Sequence, residues 1–177
     1  QVKNEIDVIE LFVRHTLEYV DGMFIVDNAS SDGTREVLAD LAARGAPIAV
    51  IDDARTMNLQ SQRMTALYRR AIRTFDVDFL FLLDADEFLR ADSRSELERA
   101  LVKLPPGTFG RIPWQTYVMR PEDARAEGDL LRRIRWRRKV EETPFEKVVM
   151  PASAEWAERA KKRFARAEYG ERVLLLR

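Results

Sequence analysis

Phe79-Leu80-Phe81-Leu82-Leu83-Asp84-Ala85-Asp86-Glu87-Phe88 decides how the chain is read. Five apolar residues run without interruption into three acids. A strand with one wet face would alternate polar and apolar residues. A continuous run fits a strand buried on both faces, as in a sheet with helices on either side. The acids then stand beyond the carboxyl end of that strand, where open α/β sheets bind their ligands. Three clustered carboxylates repel one another unless a cation offsets the charge. Asp84 and Asp86 together suit one hard divalent ion, Mg2+ or Mn2+, which commonly takes one or two carboxylates beside substrate phosphates. The plainer alternative is that the acids solvate a strand end and cap a loop.

The same grammar recurs upstream. A helical pattern over 6–20 sets Ile6, Ile9, Val13, Leu17 and Val20 against Asp7, Glu10, Arg14 and Glu18. His15, between Leu11 and Tyr19 on the wheel, reads as structural. A short strand over 23–26 leads to Asp27-Asn28-Ala29-Ser30-Ser31-Asp32-Gly33-Thr34. There a turn and a helix cap account for 31–34, while Asp27 and Asn28 are left to face a base or ribose. Helix 34–44, strand 48–51 ending in Asp52-Asp53, and helix 59–75 with Arg63 in its first turn follow. Arg63 is either a diphosphate contact or a surface arginine. Gln1-Val2-Lys3 reads as the last of a truncated first strand, with Asn4 and Glu5 at its junction. The expectation is a Rossmann-like three-layer sandwich with a mostly parallel central sheet and four strand-to-helix junctions on one edge.

Beyond Leu89 the pattern loosens. A helix over 93–102 precedes a β-like stretch over 109–118, a charged loop over 121–129, strands over 134–140 and 145–150, a charged helix over 153–167 and an apolar end over 173–176. Trp114, Tyr117 and Trp136 read as core aromatics before they read as sugar-stacking platforms. Arg132 to Lys139 holds six cations in eight residues. The alternation of Ile134 and Trp136 with Arg135 and Arg137 favours an amphipathic strand with solvated arginines over a nucleic-acid contact, and those arginines also suit a pyrophosphate or an anionic acceptor.

Composition sets outer bounds. The 177 residues carry 30 Lys+Arg against 30 Asp+Glu, with one His and no Cys. Balanced charge gives no whole-chain field to attract nucleic acid. The lack of Cys excludes disulfides, thiolate zinc sites and Cys nucleophiles, and fits a reducing compartment. The longest apolar run, 79–83, is far short of the roughly twenty residues of a membrane span.

Taken together, Val2-Lys3-Asn4-Glu5, Asp27 to Thr34 and Asp84-Ala85-Asp86-Glu87-Phe88 resemble the nucleotide-binding half of family-2 glycosyltransferases with the A-type fold. The resemblance covers about residues 2–90. It implies a nucleotide-diphosphate sugar donor, a divalent metal, an acceptor that is a glycan, lipid or protein, and inversion at the anomeric carbon. By that analogy Asp27 contacts the base with Asp53 beside it, Asp84 the ribose or a metal-bound water, and Asp86 the metal. Asn4, Glu5, Asn28 and Arg63 complete the candidate donor-binding set, with Asp84 and Asp86 as metal ligands. Residues 1–90 read as the nucleotide-sugar half and 91–177 as the acceptor half of one domain. The expected location is cytoplasmic, or peripheral to a membrane.

The second half departs from the family pattern, with no His after Asp86. Candidate acceptor bases are Glu141 and Glu142, with Glu122 and Asp123 behind them. A phosphatase that forms an aspartyl phosphate would want a Thr soon after the second Asp, and a nucleotidyltransferase a Gly-rich phosphate loop. Neither is present. A nucleotide-sugar-binding module without turnover is the non-enzyme alternative.

Overall fold

The computed structural model describes residues 1–53, 60–105, 108–124, 130–141, 145–152 and 173–176. Its elements are α1 (Ile9–Thr16), β1 (Gly22–Asp27), α2 (Thr34–Ala43), β2 (Ile48–Asp52), α3 (Gln60–Thr74), β3 (Phe79–Leu82), α4 (Arg94–Val102), β4 (Gly110–Pro113), β5 (Tyr117–Val118), α5 (Pro121–Ala124), α6 (Leu130–Arg133), β6 (Trp136–Arg137), β7 (Glu146–Pro151) and β8 (Val173–Leu176). The helix expected over 153–167 lies outside the described residues. The chain divides into two compact units, Gln1–Gly110 with Val148–Arg177, and Arg111–Lys147.

The main sheet is ordered β2-β1-β8-β3-β7-β4. It is mixed, and this corrects the expectation of a mostly parallel sheet. β1 and β2 pair in parallel from Met23↔Ile48 to Asp27↔Asp52. β8 lies between β1 and β3 and runs antiparallel to both, and β7 is antiparallel to β3. β1, β2 and β3 therefore all point the same way, as their alternation with helices requires, but β1 and β3 are not neighbours. The apolar residues 173–176 supply the strand that separates them. Val2 forms a single parallel bridge to Asp27, donating from its N–H to Val26 O and accepting from Asn28 N–H.

The first unit is built around β1, whose Met23, Phe24, Ile25, Val26 and Asp27 are all buried. Successive side chains point to opposite faces, so both faces are covered. Ile9, Phe12, Val13 and Thr16 form the buried stripe of α1, and Leu38 and Leu41 that of α2. On α3, Tyr68 and Ala71 pack with Leu80, Leu82 and Met150, and the Tyr68 hydroxyl donates to Pro151 O at 2.7 Å. The polar stripe of α1 is exposed. Its Glu10–Arg14 pair at 2.8 Å sits in water and contributes little.

In the second unit β5 and β6 form a two-stranded antiparallel ribbon, with Tyr117 opposite Arg137 and Val118 opposite Trp136. The β-like stretch 109–118 is thus two strands, not one. The strand expected over 134–140 shrinks to Trp136–Arg137, because Leu130–Arg133 turns as helix. The start of the loop expected over 121–129 is also helical, as α5. Trp114, Tyr117 and Trp136 are exposed rather than core, Trp136 by 52%. A two-stranded ribbon has no second layer of its own to bury them. Among the described residues, no helix is long and apolar enough to cross a membrane.

Candidate functional site

Register fixes how the strand ends are arranged. Val173 lies opposite both Phe24 and Leu82, which puts those two residues level. Asp27 is three positions beyond Phe24, and Asp84 two beyond Leu82. The two acids thus leave the sheet at nearly the same height on one edge. Two inter-strand spacings, roughly 10 Å, separate their strands. Asp53 joins the same edge, its N–H donating to Asp27 O at 2.9 Å. Because β2 occupies the other side of β1, Val2 must lie on the side of Asp27 that faces β3.

The first junction is tied to the second by a run of hydrogen bonds. Asn4 N–H donates to Ser30 Oγ at 2.9 Å, Glu5 N–H to Thr34 Oγ1 at 2.8 Å and Ile6 N–H to Asp32 Oδ2 at 3.0 Å. In return Ser31 N–H donates to Asn4 Oδ1 at 2.9 Å. Asn4 and Ala29 hold positive φ, 56° and 53°, which lets both loops turn sharply enough to meet. Gly33, at φ 103°, starts α2, and a Cβ there would lie 3.2 Å from Ile6 Cδ1. Asp32 Oδ1 accepts from the Thr34 N–H and hydroxyl. Desolvation pushes the Asp32 pKa up, but the hydrogen bonds from Thr34 and Ile6 outweigh it and hold the carboxyl below its ordinary 3.8. Asn4, Asp32 and Thr34 are therefore committed to holding the loops together.

Asp27 is different. It is 1% exposed, and its Oδ2 accepts from Ser30 N–H at 3.1 Å. Its Oδ1 is buried without a hydrogen-bond partner in the protein. A buried carboxylate oxygen left unpaired is costly.

The acidic turn after β3 divides its labour. Ala85 is fully buried and pins the turn to the core. Glu87 N–H donates to Asp84 O at 3.0 Å, and Asp84 N–H donates back to Glu87 Oε2 at 2.8 Å. Glu87 thus closes the turn, its other oxygen buried without a hydrogen-bond partner. Asp84 is half-buried and Asp86 exposed. Among the described residues, no group of three or more His, Cys, Asp or Glu is placed to hold a metal by itself. Two hard carboxylates at an accessible strand end nonetheless fit a cation that draws its remaining oxygens from a ligand.

Helix α1 grips the segment that follows. His15 Nε2 lies 2.7 Å from Leu89 O, and the His15 ring meets Phe88 edge-on at 5.5 Å between centroids. Phe12 meets the same Phe88 at 6.2 Å, and the Tyr19 hydroxyl donates to Ala91 O at 3.1 Å. His15 is structural, as its place on the wheel suggests, but the structure it supports is the segment carrying Asp84 and Asp86. Glu87 and this clamp are what residue types alone do not disclose. Their signals in the sequence are slight: the i,i+3 spacing of Asp84 and Glu87, and Tyr19 four residues after a lone histidine.

Asn28 bonds through its backbone to Val2. Arg63 lies on α3, its side chain outside the described residues, as is the whole of Glu142. In the second unit both oxygens of Glu141 accept from Thr116, from N–H at 2.6 Å and from the hydroxyl at 2.9 Å. Those bonds hold the Glu141 pKa below its ordinary value. Asp123 is held likewise below its ordinary value, chiefly by Arg120.

A family model described as glycosyl transferase family 2 matches residues 2–151. No curated protein and no solved structure gives a significant match.

Proposed function

The chain belongs to glycosyl transferase family 2, and from that premise we propose that it is a metal-dependent transferase moving a sugar from a nucleotide-diphosphate donor to a glycan, lipid or protein acceptor, with inversion. The observation that carries the reading is the buried, half-partnered carboxylate of Asp27 on the same sheet edge as the Asp84-Ala85-Asp86 turn. Asp27 Oδ1 would accept from the base, with Asp53 beside it, while Asn4 and Glu5 shape the wall through their bonds to Ser30 and Thr34. Asn28 and Arg63 complete the proposed donor set.

Asp84 and Asp86 would hold Mg2+ or Mn2+. Positive charge against the departing diphosphate is what such a cation supplies when bound. Glu87 keeps the turn closed so that the two aspartates stay aimed together. The candidate for accepting the acceptor's proton is Glu142, on sequence alone, since Thr116 holds both oxygens of Glu141. Residues 1–90 as the donor half, and a cytoplasmic location or one at a membrane periphery, belong to the same proposal and rest on sequence.

Asp86→Asn tests it. UDP-, GDP-, dTDP- and CMP-sugars are titrated into wild type and variant, each with Mn2+ and with a chelator. Metal and nucleotide should bind wild type with positive, reciprocal coupling, and Asp86→Asn should lose that coupling and most transfer while remaining folded. Equal Mn2+ enhancement in both proteins overturns the metal assignment. Binding without any transfer or donor hydrolysis in wild type overturns the enzyme reading in favour of a binding module.

A further inference from the structure

Nine large hydrophobic residues are exposed among the described residues, and seven of them fall in the small second unit: Trp114, Tyr117, Val118, Met119, Trp136, Val140 and Phe145. Isolated exposed hydrophobics are ordinary, but such a concentration marks an interaction surface. Arg135 to Val140 is exposed without a break, and Val140 reaches 76%. The same unit carries a net positive charge in a neutral chain. Residues 111–147 carry 10 Lys+Arg against 7 Asp+Glu, and 132–139 hold six cations and no acid. The described acids of the unit are engaged inside it: Glu122 and Asp123 with Arg120, Glu141 with Thr116, Glu146 with Arg111.

We propose that the β5–β6 ribbon of Arg111–Lys147 binds an anionic lipid surface. By the register Trp136 and Val118 share one face of the ribbon and Tyr117 and Arg137 the other; aromatic and aliphatic side chains bordered by Arg and Lys are those that settle at the boundary between headgroups and acyl chains. A cluster of four to eight cations is the footprint of an anionic leaflet. Charge complementarity thus selects the partner, and ring packing selects lipid over RNA. A base needs an open aromatic face on which to stack. The Arg120 guanidinium already covers the Trp136 ring at 4.3 Å, and Trp114 is packed on Phe145 at 5.6 Å with the Lys147 ammonium 5.7 Å from its ring centroid. Both indoles thus already have a partner on the ring, while Val118, Met119 and Val140 offer exposed aliphatic surface that suits shallow insertion in lipid. The inference does not rest on the transferase reading and needs neither donor nor metal.

The test is co-sedimentation of the full chain with vesicles of phosphatidylcholine alone and of phosphatidylcholine with phosphatidylglycerol, at low and high salt, followed also by tryptophan emission. Binding should be confined to the phosphatidylglycerol vesicles, shift emission to the blue, and fall at high salt as screening shortens. Arg137→Gln, Arg138→Gln and Lys139→Gln combined should weaken partitioning on the order of a hundredfold, roughly fivefold for each cation lost. Trp136→Ser should weaken it with little change in melting, because the ring is already half in water. Failure to bind either vesicle, or equal binding to both, overturns the proposal without recourse to any variant. So does polyuridylate RNA binding in a salt-dependent way while vesicles are ignored.

Discussion

Asp27→Asn separates what the fold wants from what the site wants. The wild-type carboxylate is 1% exposed, with one oxygen satisfied by Ser30 N–H and the other without a hydrogen-bond partner. An unsatisfied buried polar group costs about 1–3 kcal/mol, and more when charged. The amide keeps an acceptor for Ser30 and replaces the orphaned charged oxygen with a neutral NH2 that is itself unsatisfied. The net gain in stability should be about 1 kcal/mol, a rise in Tm of roughly 2–4 °C for a chain of this size. The ligand loses a hydrogen bond to a charged group, worth about 1.5–3 kcal/mol. Nucleotide affinity should therefore fall roughly ten- to a hundredfold. Melting curves without ligand give the first number, and calorimetric titration of the nucleotide that stabilises wild type gives the second. A fall of several degrees in the ligand-free variant would mean that Oδ1 has a partner in the folded protein. Unchanged nucleotide affinity would mean that the orphaned oxygen faces no ligand. Either result refutes the reasoning.

Two other perturbations bear on the loops that follow β1 and β3. His15→Ala removes the hydrogen bond to Leu89 O and the ring contacts to Phe88 and Tyr19, so stability should drop by about 2–3 kcal/mol. Mn2+ enhancement of nucleotide binding should drop with it, while metal-free binding holds; His15→Gln, which can still donate to Leu89 O, should restore the enhancement in part, and equal enhancement in all three proteins would show that the clamp is structural only. Asp32 has a depressed folded pKa, so its contribution to stability is present above its ordinary 3.8 and is lost as pH falls through the lower folded value. Wild type should accordingly melt higher than Asp32→Asn at pH 7, with the two curves converging as pH falls below the ordinary 3.8 and through the lower folded value; parallel curves across that window would remove Asp32 from the acid response.

The parts of this architecture set by short-range pattern were readable in the residues. The β1, β2 and β3 strands and the helices between them follow from apolar runs, polar stripes and caps, and their common direction follows from the crossovers between them. Sheet neighbours were another matter. Nothing in Val173 to Leu176 says that this strand inserts between β1 and β3, because an apolar tetrapeptide carries no register or direction of its own. The second unit misled for a related reason. Ile134 to Lys139 alternates as an amphipathic strand should, but alternation assumes a core to face, and a two-stranded ribbon supplies none. The same alternation then puts Trp136 in solvent.

Polar residues crowd the carboxyl edge of the sheet, and most of them are spent on the chain itself. Asn4, Ser30, Asp32 and Thr34 bond one loop to the next, Asp52 pairs with Arg35, and Glu87 closes its own turn. A count of polar side chains near a strand end therefore overstates the number open to a ligand. What survives the subtraction includes the unpartnered oxygen of Asp27 and the carboxylate of Asp86, one buried and the other open to water. Those surroundings suit different work. A buried, orphaned acceptor gains most from a neutral donor, which brings no second charge to desolvate, as the N–H of a base does. An exposed carboxylate can keep its charge and share its oxygens with a hydrated ion. The network of the first two loops holds the turn that carries Asp27, which is why loosening a bond such as Ser31 N–H to Asn4 Oδ1 should reach the site.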